Sequence, residues 1–155
     1  QRRTFDLAGM VNEILHTLSP SLKRHPHKVV VDIPDGITMD SQPGPLGQII
    51  INLVNNAYLH AFEGCADGVL TISARSQGDA VVLQFSDNGV GMGPEQLAKL
   101  FEPFFSTKIG GGGTGLGMSI VKNLVLEKLQ GRIAVESTLG QGTRFVITLP
   151  RVLPT

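Results

Sequence analysis

The apolar residues of this chain change period several times, and each change marks an element. Leu7, Met10, Val11, Ile14, Leu15 and Leu18 recur three and four positions apart, the spacing of one helical face, with Asp6 placed to cap the first turn. Pro20 lacks an amide proton and is expected to end or kink that helix. Over residues 28–33 the period drops to two through Val29, Val31 and Ile33, which predicts a half-buried strand, and Pro34, Asp35 and Gly36 then turn the chain. Gly44-Pro45 opens a second helix, proline being suited to a first turn, with Leu46, Ile49, Ile50, Leu53, Val54, Ala57 and Ala61 as its apolar face. Residues 69–75 and 80–86 are β-branched apolar runs on either side of Gln77-Gly78-Asp79, a hairpin whose second strand leads into Asp87-Asn88-Gly89.

A short helix is expected over about 94–100, then an irregular segment, 101–113, too rich in glycine at its end to be regular and read as a mobile lid. A third long helix over 116–129 ends at Gln130-Gly131, and two strands, 132–137 and 143–149, flank Leu139-Gly140-Gln141-Gly142. Helices and strands do not alternate strictly enough for a doubly wound parallel sheet. The expected fold is an α/β sandwich: a mixed sheet of about five strands with three main helices on one face, formed by residues 1–155 as a single domain.

Composition narrows the function. With 13 basic and 13 acidic residues the net charge is zero, which argues against nucleic acid or an anionic membrane as partner. The single cysteine, Cys65, has no intramolecular partner, and no apolar run approaches the roughly 20 residues of a membrane span, so a reducing, cytoplasmic setting without direct membrane insertion is expected. That leaves room for a membrane anchor elsewhere in a parent protein. The 19 glycines exceed the roughly 7% of average usage and cluster most densely at 110–117.

Three stretches carry candidate chemistry. Asn52 and Asn56, four apart on the second helix, project from one stripe and offer amide oxygens to a metal or phosphate, although a plain polar helix face has the same pattern. Asp87-Asn88-Gly89-Val90-Gly91-Met92 sets a carboxylate at a strand end before alternate glycines, which suits either a capped turn or a ligand that approaches the backbone. Residues 110–117, followed by Met118-Ser119, put backbone N–H groups at a helix start, where phosphate binds, or form a flexible linker. The stretch is no P-loop, because Met118 stands where lysine is required. Nor is Gly110-x-Gly112-x-x-Gly115 a dinucleotide fingerprint, since it follows Phe105-Ser106-Thr107-Lys108 rather than a buried strand.

Taken in order, Asn52-Leu53-Val54-Asn55-Asn56-Ala57, Asp87 to Met92, Phe101-Glu102-Pro103-Phe104-Phe105 and Gly113-Thr114-Gly115-Leu116-Gly117 resemble the N box, first glycine box, F box and second glycine box of the sensor histidine kinase catalytic domain. The resemblance extends to Gly140-Gln141-Gly142-Thr143. It implies a two-layer Bergerat-type sandwich with an ATP lid, ATP and Mg²⁺ as cofactors, and phosphoryl transfer to a histidine in two-component signalling. By that resemblance Asn56 ligates Mg²⁺, Asn52 supports metal and phosphates in catalysis, and Asp87 accepts a hydrogen bond from the adenine amino group. Gly89, Gly91 and Met92 wrap the base; Phe101 and Phe105 anchor the lid; Lys108, Gly113, Thr114, Gly115, Leu116 and Gly117 meet the phosphates. Leu59 and His60 depart from the Lys or Arg followed by Tyr or Phe that many members carry near the phosphates and base, so a cationic phosphate contact from this helix is not implied, while His60 keeps a place beside the nucleotide.

In the hydrolysing relatives of this fold a glutamate stands where this chain has Asn52, so transfer to a protein is expected over hydrolysis. The alternatives are an ATPase or serine kinase of the same fold, or a nucleotide-sensing module without turnover. None of His16, His25, His27 and His60 is followed by the Glu or Asp typical of an acceptor histidine. The acceptor is therefore expected on dimerisation and phosphotransfer helices preceding Gln1 in a homodimeric parent, with a response regulator downstream.

Overall fold

The computed structural model describes residues 1–103 and 117–154. The chain starts with strand β1 (Arg3–Asp6) and helix α1 (Leu7–Leu22), whose N-cap Asp6 accepts a hydrogen bond from the Gly9 amide at 2.8 Å. Pro20 does not end α1: the helix passes through it to Leu22, and Lys23 N–H still reaches the Ser19 carbonyl at 2.9 Å. Proline removes its own donor, the His16 carbonyl one turn back accepts from Ser19 Oγ at 2.8 Å instead, and the turn after it closes normally.

Strands β2 (Lys28–Asp32) and β3 (Thr38–Ser41) precede helix α2 (Pro43–Asn56). The helix continues without a break as a π-helical turn, Ala57–Ala61, closed by Phe62 N–H to the Ala57 carbonyl at 2.9 Å. Strands β4 (Val69–Gln77) and β5 (Ala80–Asp87) form the expected hairpin; helix α3 spans Pro94–Lys99. Helix α4 (Gly117–Asn123) likewise runs on as π-helix, Leu124–Lys128, before β6 (Arg132–Ser137) and β7 (Thr143–Pro150). π-turns of this kind recur at functional sites, and one of these carries His60.

The main sheet has order β2-β4-β5-β7-β6, parallel between β2 and β4 and antiparallel elsewhere, which is the mixed five-stranded sheet expected. One of its faces lies under the helices, where Leu70, Ile72, Leu83, Phe85, Phe145 and Ile147 join Leu7 and Val11 of α1, Leu46, Ile50 and Leu53 of α2, and Val121 of α4 in one core. The opposite face carries Thr71, Ser86, Arg144 and Glu136 in register. A second, two-stranded sheet of β1 and β3 has no counterpart in the hydrophobic pattern, because each strand is only four residues long and Met39 is the lone apolar residue of β3. Among the described residues no helix is long and apolar enough to cross a membrane.

Candidate functional site: a cleft between helix α2 and the β5 loop

Asp87 ends β5 on the helix-covered face, and only 8 % of it is exposed. Two backbone amides hold its Oδ1: Gly89 N–H at 2.9 Å, which closes a turn, and Thr143 N–H at 3.1 Å from the start of β7. Burial pushes the carboxyl above its ordinary range, and the two amide bonds, which favour the charged form, only partly oppose that. Asp87 is thus a buried acceptor with one oxygen engaged by the backbone.

The glycines around it are there for closeness. A Cβ on Gly89 would lie 2.1 Å from the Ala61 carbonyl oxygen, and one on Gly91, at φ +70°, would lie 2.0 Å from that of Thr138. The loop after β5 is therefore pressed between the π-helical end of α2 and the β6–β7 turn, and Val90 N–H bonds to Ala61 O at 2.8 Å. On the other side Ser137 Oγ accepts from Met92 N–H at 2.8 Å and shares a hydrogen bond with Thr143 Oγ1 at 2.8 Å.

Between α2 and this loop lies a cleft of about 140 Å³, and four of the expected residues line it: Asn56, His60, Gly91 and Met92. That volume is below the roughly 300–1,000 Å³ of whole-ligand pockets, so it has room for only part of a drug-sized ligand. Asp87 opens on an adjoining hollow with Ser137 and Gly142, and Thr143 lines both spaces.

The other expected residues lie as follows. Asn52, one turn before Asn56, accepts a hydrogen bond from Gln48 Nε2 at 2.9 Å and does not line the cleft. Phe101 packs against the core with Lys122 Nζ 5.4 Å from its ring centroid, and is likewise not in the wall. Gly117 is the first residue of α4. Phe105, Lys108, Gly113, Thr114, Gly115 and Leu116 lie outside the described residues, as does the body of the expected lid.

Sequence reasoning missed the other wall residues, Ala61, Glu63 and Thr143 among them. Thr143 was within reach of it, since it follows the glycine turn 140–142 that resembles the family; Ala61 and Glu63 become visible only once the π-turn brings the helix end against Gly89.

Comparison with known proteins accords with this geometry. A family model described as histidine kinase-, DNA gyrase B- and HSP90-like ATPase matches residues 41–153. The sensor histidine kinase ZraS of Salmonella typhi is 39% identical over 113 residues, covering 72% of this chain and 23% of that protein. The catalytic domain of histidine kinase ThkA superposes with a TM-score of 0.84 at 24% identity, over 98% of this chain and 97% of that one. ThkA in complex with the response regulator protein TrrA gives 0.78 at 21% identity, over 97% and 42%. Full-length ShkA in complex with AMPPNP gives 0.84 at 25% identity, over 100% and 32%. The chain spans about a fifth of the length of the curated relatives it matches first. It belongs to the histidine kinase-, DNA gyrase B- and HSP90-like ATPase family, and sensor histidine kinases are the members it resembles.

Proposed function

We propose that residues 1–155 act as the single ATP-binding catalytic domain of a two-component sensor kinase, taking Mg-ATP and donating its γ-phosphate to a histidine on a separate dimerisation and phosphotransfer domain. The observation that carries this is Asp87: a buried carboxylate whose Oδ1 is engaged by Gly89 and Thr143 leaves Oδ2 to accept from an exocyclic amine, such as the one adenine carries at C6 where guanine has a carbonyl oxygen. ShkA, similar over the whole of this chain, holds the ATP analogue AMPPNP.

Met92, Ala61 and Val90 give the cleft apolar walls for the base, and Thr143, which lines both the cleft and the adjoining hollow, holds Asp87 through its N–H. Asn56 offers an amide oxygen in the same wall, and Mg²⁺ takes one or two protein oxygens together with substrate phosphates, so the residue fits the ion. Bound there, Mg²⁺ would neutralise phosphate charge, the main electrostatic demand of phosphoryl transfer. Asn52 would support it from the preceding turn once its amide turns away from Gln48. ThkA, bound to TrrA, suggests a response regulator as the next partner.

Calorimetric titration of ATP and ADP, with and without Mg²⁺, tests binding, and labelled γ-phosphate appearing on added phosphotransfer helices of the parent tests transfer. Binding without any transfer would leave a nucleotide-sensing module. A second reading, hydrolysis, has one observation in its favour, the Glu63 carboxylate in the cleft wall. Rapid phosphate release that falls in Glu63→Gln would establish it.

A further inference from the structure

Four rings that the nucleotide reading leaves unused pack together where β2 begins. The His27 and Phe62 centroids are 4.6 Å apart, Tyr58 meets both edge-on at 5.6 Å, and His25 stacks on His27 at 6.2 Å. His27 Nδ1 accepts a hydrogen bond from the Gly68 amide at 2.8 Å. Gly68 is buried, and a Cβ there would lie 2.5 Å from the Phe62 ring and 2.7 Å from His27 Nδ1, so its backbone is clamped beneath both rings.

Two short paths join this cluster to the cleft. Next to Gly68, Val69 N–H bonds to Asn88 Oδ1 at 2.8 Å, and Asn88 Nδ2 bonds back to the Asp67 carbonyl at 3.4 Å. Asn88 sits between Asp87 and Gly89, the residues whose mutual hydrogen bond fixes the carboxylate. By the second path Phe62 adjoins Ala61, whose carbonyl accepts from Val90 and touches Gly89. The loop that positions Asp87 is thus held from both ends by residues packed on or bonded next to His27.

We propose that His27 is a positioning residue for the nucleotide site, fixing the Asp87 loop through Gly68 and Asn88 only while its imidazole is neutral. An Nδ1 that accepts leaves its proton on Nε2. A second proton, on Nδ1, turns the acceptor into a donor facing a donor and strips the buried Gly68 amide of its partner. The titratable groups facing His27 are His25 on its own loop and Tyr58 from the π-turn; burial raises the Tyr58 phenol, which keeps it uncharged. Phe62 is apolar, and the β4 side presents backbone at Gly68 with Asp67 adjoining. Among the described residues no carboxylate is ion-paired with His27. Protonation of His27 therefore lowers nucleotide affinity, so affinity falls on acidification.

This inference rests on the ATP reading, and two measurements separate them. ATP is titrated into wild type, His27→Phe and His27→Gln from pH 5.5 to 8.5, with folding checked by circular dichroism at each pH; the ratio of variant to wild-type Kd cancels pH effects common to all three proteins. At pH 8 His27→Phe, which keeps the ring and loses the acceptor, should bind about three- to tenfold more weakly, the scale of coupling through packed networks, while His27→Gln, whose amide oxygen accepts, should bind nearly as wild type. Near pH 5.5 the wild type should lose its advantage over His27→Phe and fall below His27→Gln. Equal affinities for all three at both ends overturn the proposal. In nucleotide-free protein, the Gly68 and Gly89 amide resonances should move with the His27 titration and stay still in His27→Gln. If they move but ATP does not bind, the ATP reading fails and the coupling stands; if ATP binds and they do not move, the coupling fails alone.

Discussion

Two rows of side chains cross the helix-covered face of the sheet one pleat apart. The row Val31, Ile72, Phe85, Phe145, Val135 is apolar from edge to edge, whereas the next, Val29, Leu70, Asp87, Thr143, Ser137, turns polar at its third strand. Both use the same five strands and the same face, and their central residues are both buried: Phe85 is 1 % exposed and Asp87 8 %. The difference is that the second row lies where strands end and loops converge, so backbone donors are at hand. Asp87 and Thr143 can be buried there because Gly89 N–H, Thr143 N–H and Ser137 Oγ bond to them, and among the described residues no buried side-chain polar atom lacks a partner. The apolar row stabilises; the polar row is tolerated, and its raised carboxyl shows that holding its charge has a cost.

The largest expected effect is on the apolar row. Phe85→Ala should cost about 3–5 kcal/mol in denaturant unfolding, the usual loss for a buried aromatic, and leave ATP affinity of the folded fraction within about twofold. A matching loss of affinity would mean that the rows are not separable. Next comes Gly142→Ala, which joins the two effects: its φ is +83°, and a Cβ would sit 2.0 Å from the Asp87 carbonyl oxygen. Left-handed strain alone costs roughly 1–2 kcal/mol, and the collision pushes Asp87 out of line, so stability and affinity should fall together.

Legibility followed the same division. The apolar rows, the hairpin and the face of α2 were visible because burial on one side imposes a period, from Leu46 to Ala61 and from Val69 to Ser86. What escaped was local: the β1–β3 pair is too short to show a period, and a π-turn adds one residue to a helix whose apolar spacing barely registers it. Of the candidate site, Asp87 and its glycines were legible as a motif, and Asn56 with them. That Ala61 is the surface against which Gly89 rests is a contact across 28 residues of chain, which no local pattern encodes.

Asp87→Asn tests the polar row without disturbing its packing. The amide oxygen can keep both backbone bonds, while its NH₂ faces the position where a donor amine is expected, so ATP affinity should drop by about 1.5–3 kcal/mol, roughly 10- to 150-fold. Stability should move the other way. A carboxyl whose folded pKa is raised holds its proton longer than in the unfolded chain, so the wild type loses stability as pH climbs from the unfolded value of about 3.9 through the folded one. The variant has no such loss, and its advantage in unfolding free energy should open across that window and stay constant above it. A variant less stable than wild type at pH 7 would show that the charge is stabilising and that the two rows differ less than their chemistry suggests.

The smallest effect belongs to the outer face, one residue along the same strands, where Arg144 Nε meets Glu136 Oε1 at 2.9 Å. With side chains 49% and 63% exposed, the pair should contribute at most about 0.5 kcal/mol, so Glu136→Gln should barely shift unfolding, and less still in high salt. Its value lies in what it does to binding. Glu136 and Arg144 border the hollow on which Asp87 opens, but neither lines the cleft beside Asn56. Unchanged ATP affinity in Glu136→Gln would locate the base on the cleft side of Thr143, whereas a severalfold change would mean that the ligand reaches through to the hollow and feels the outer face of the sheet.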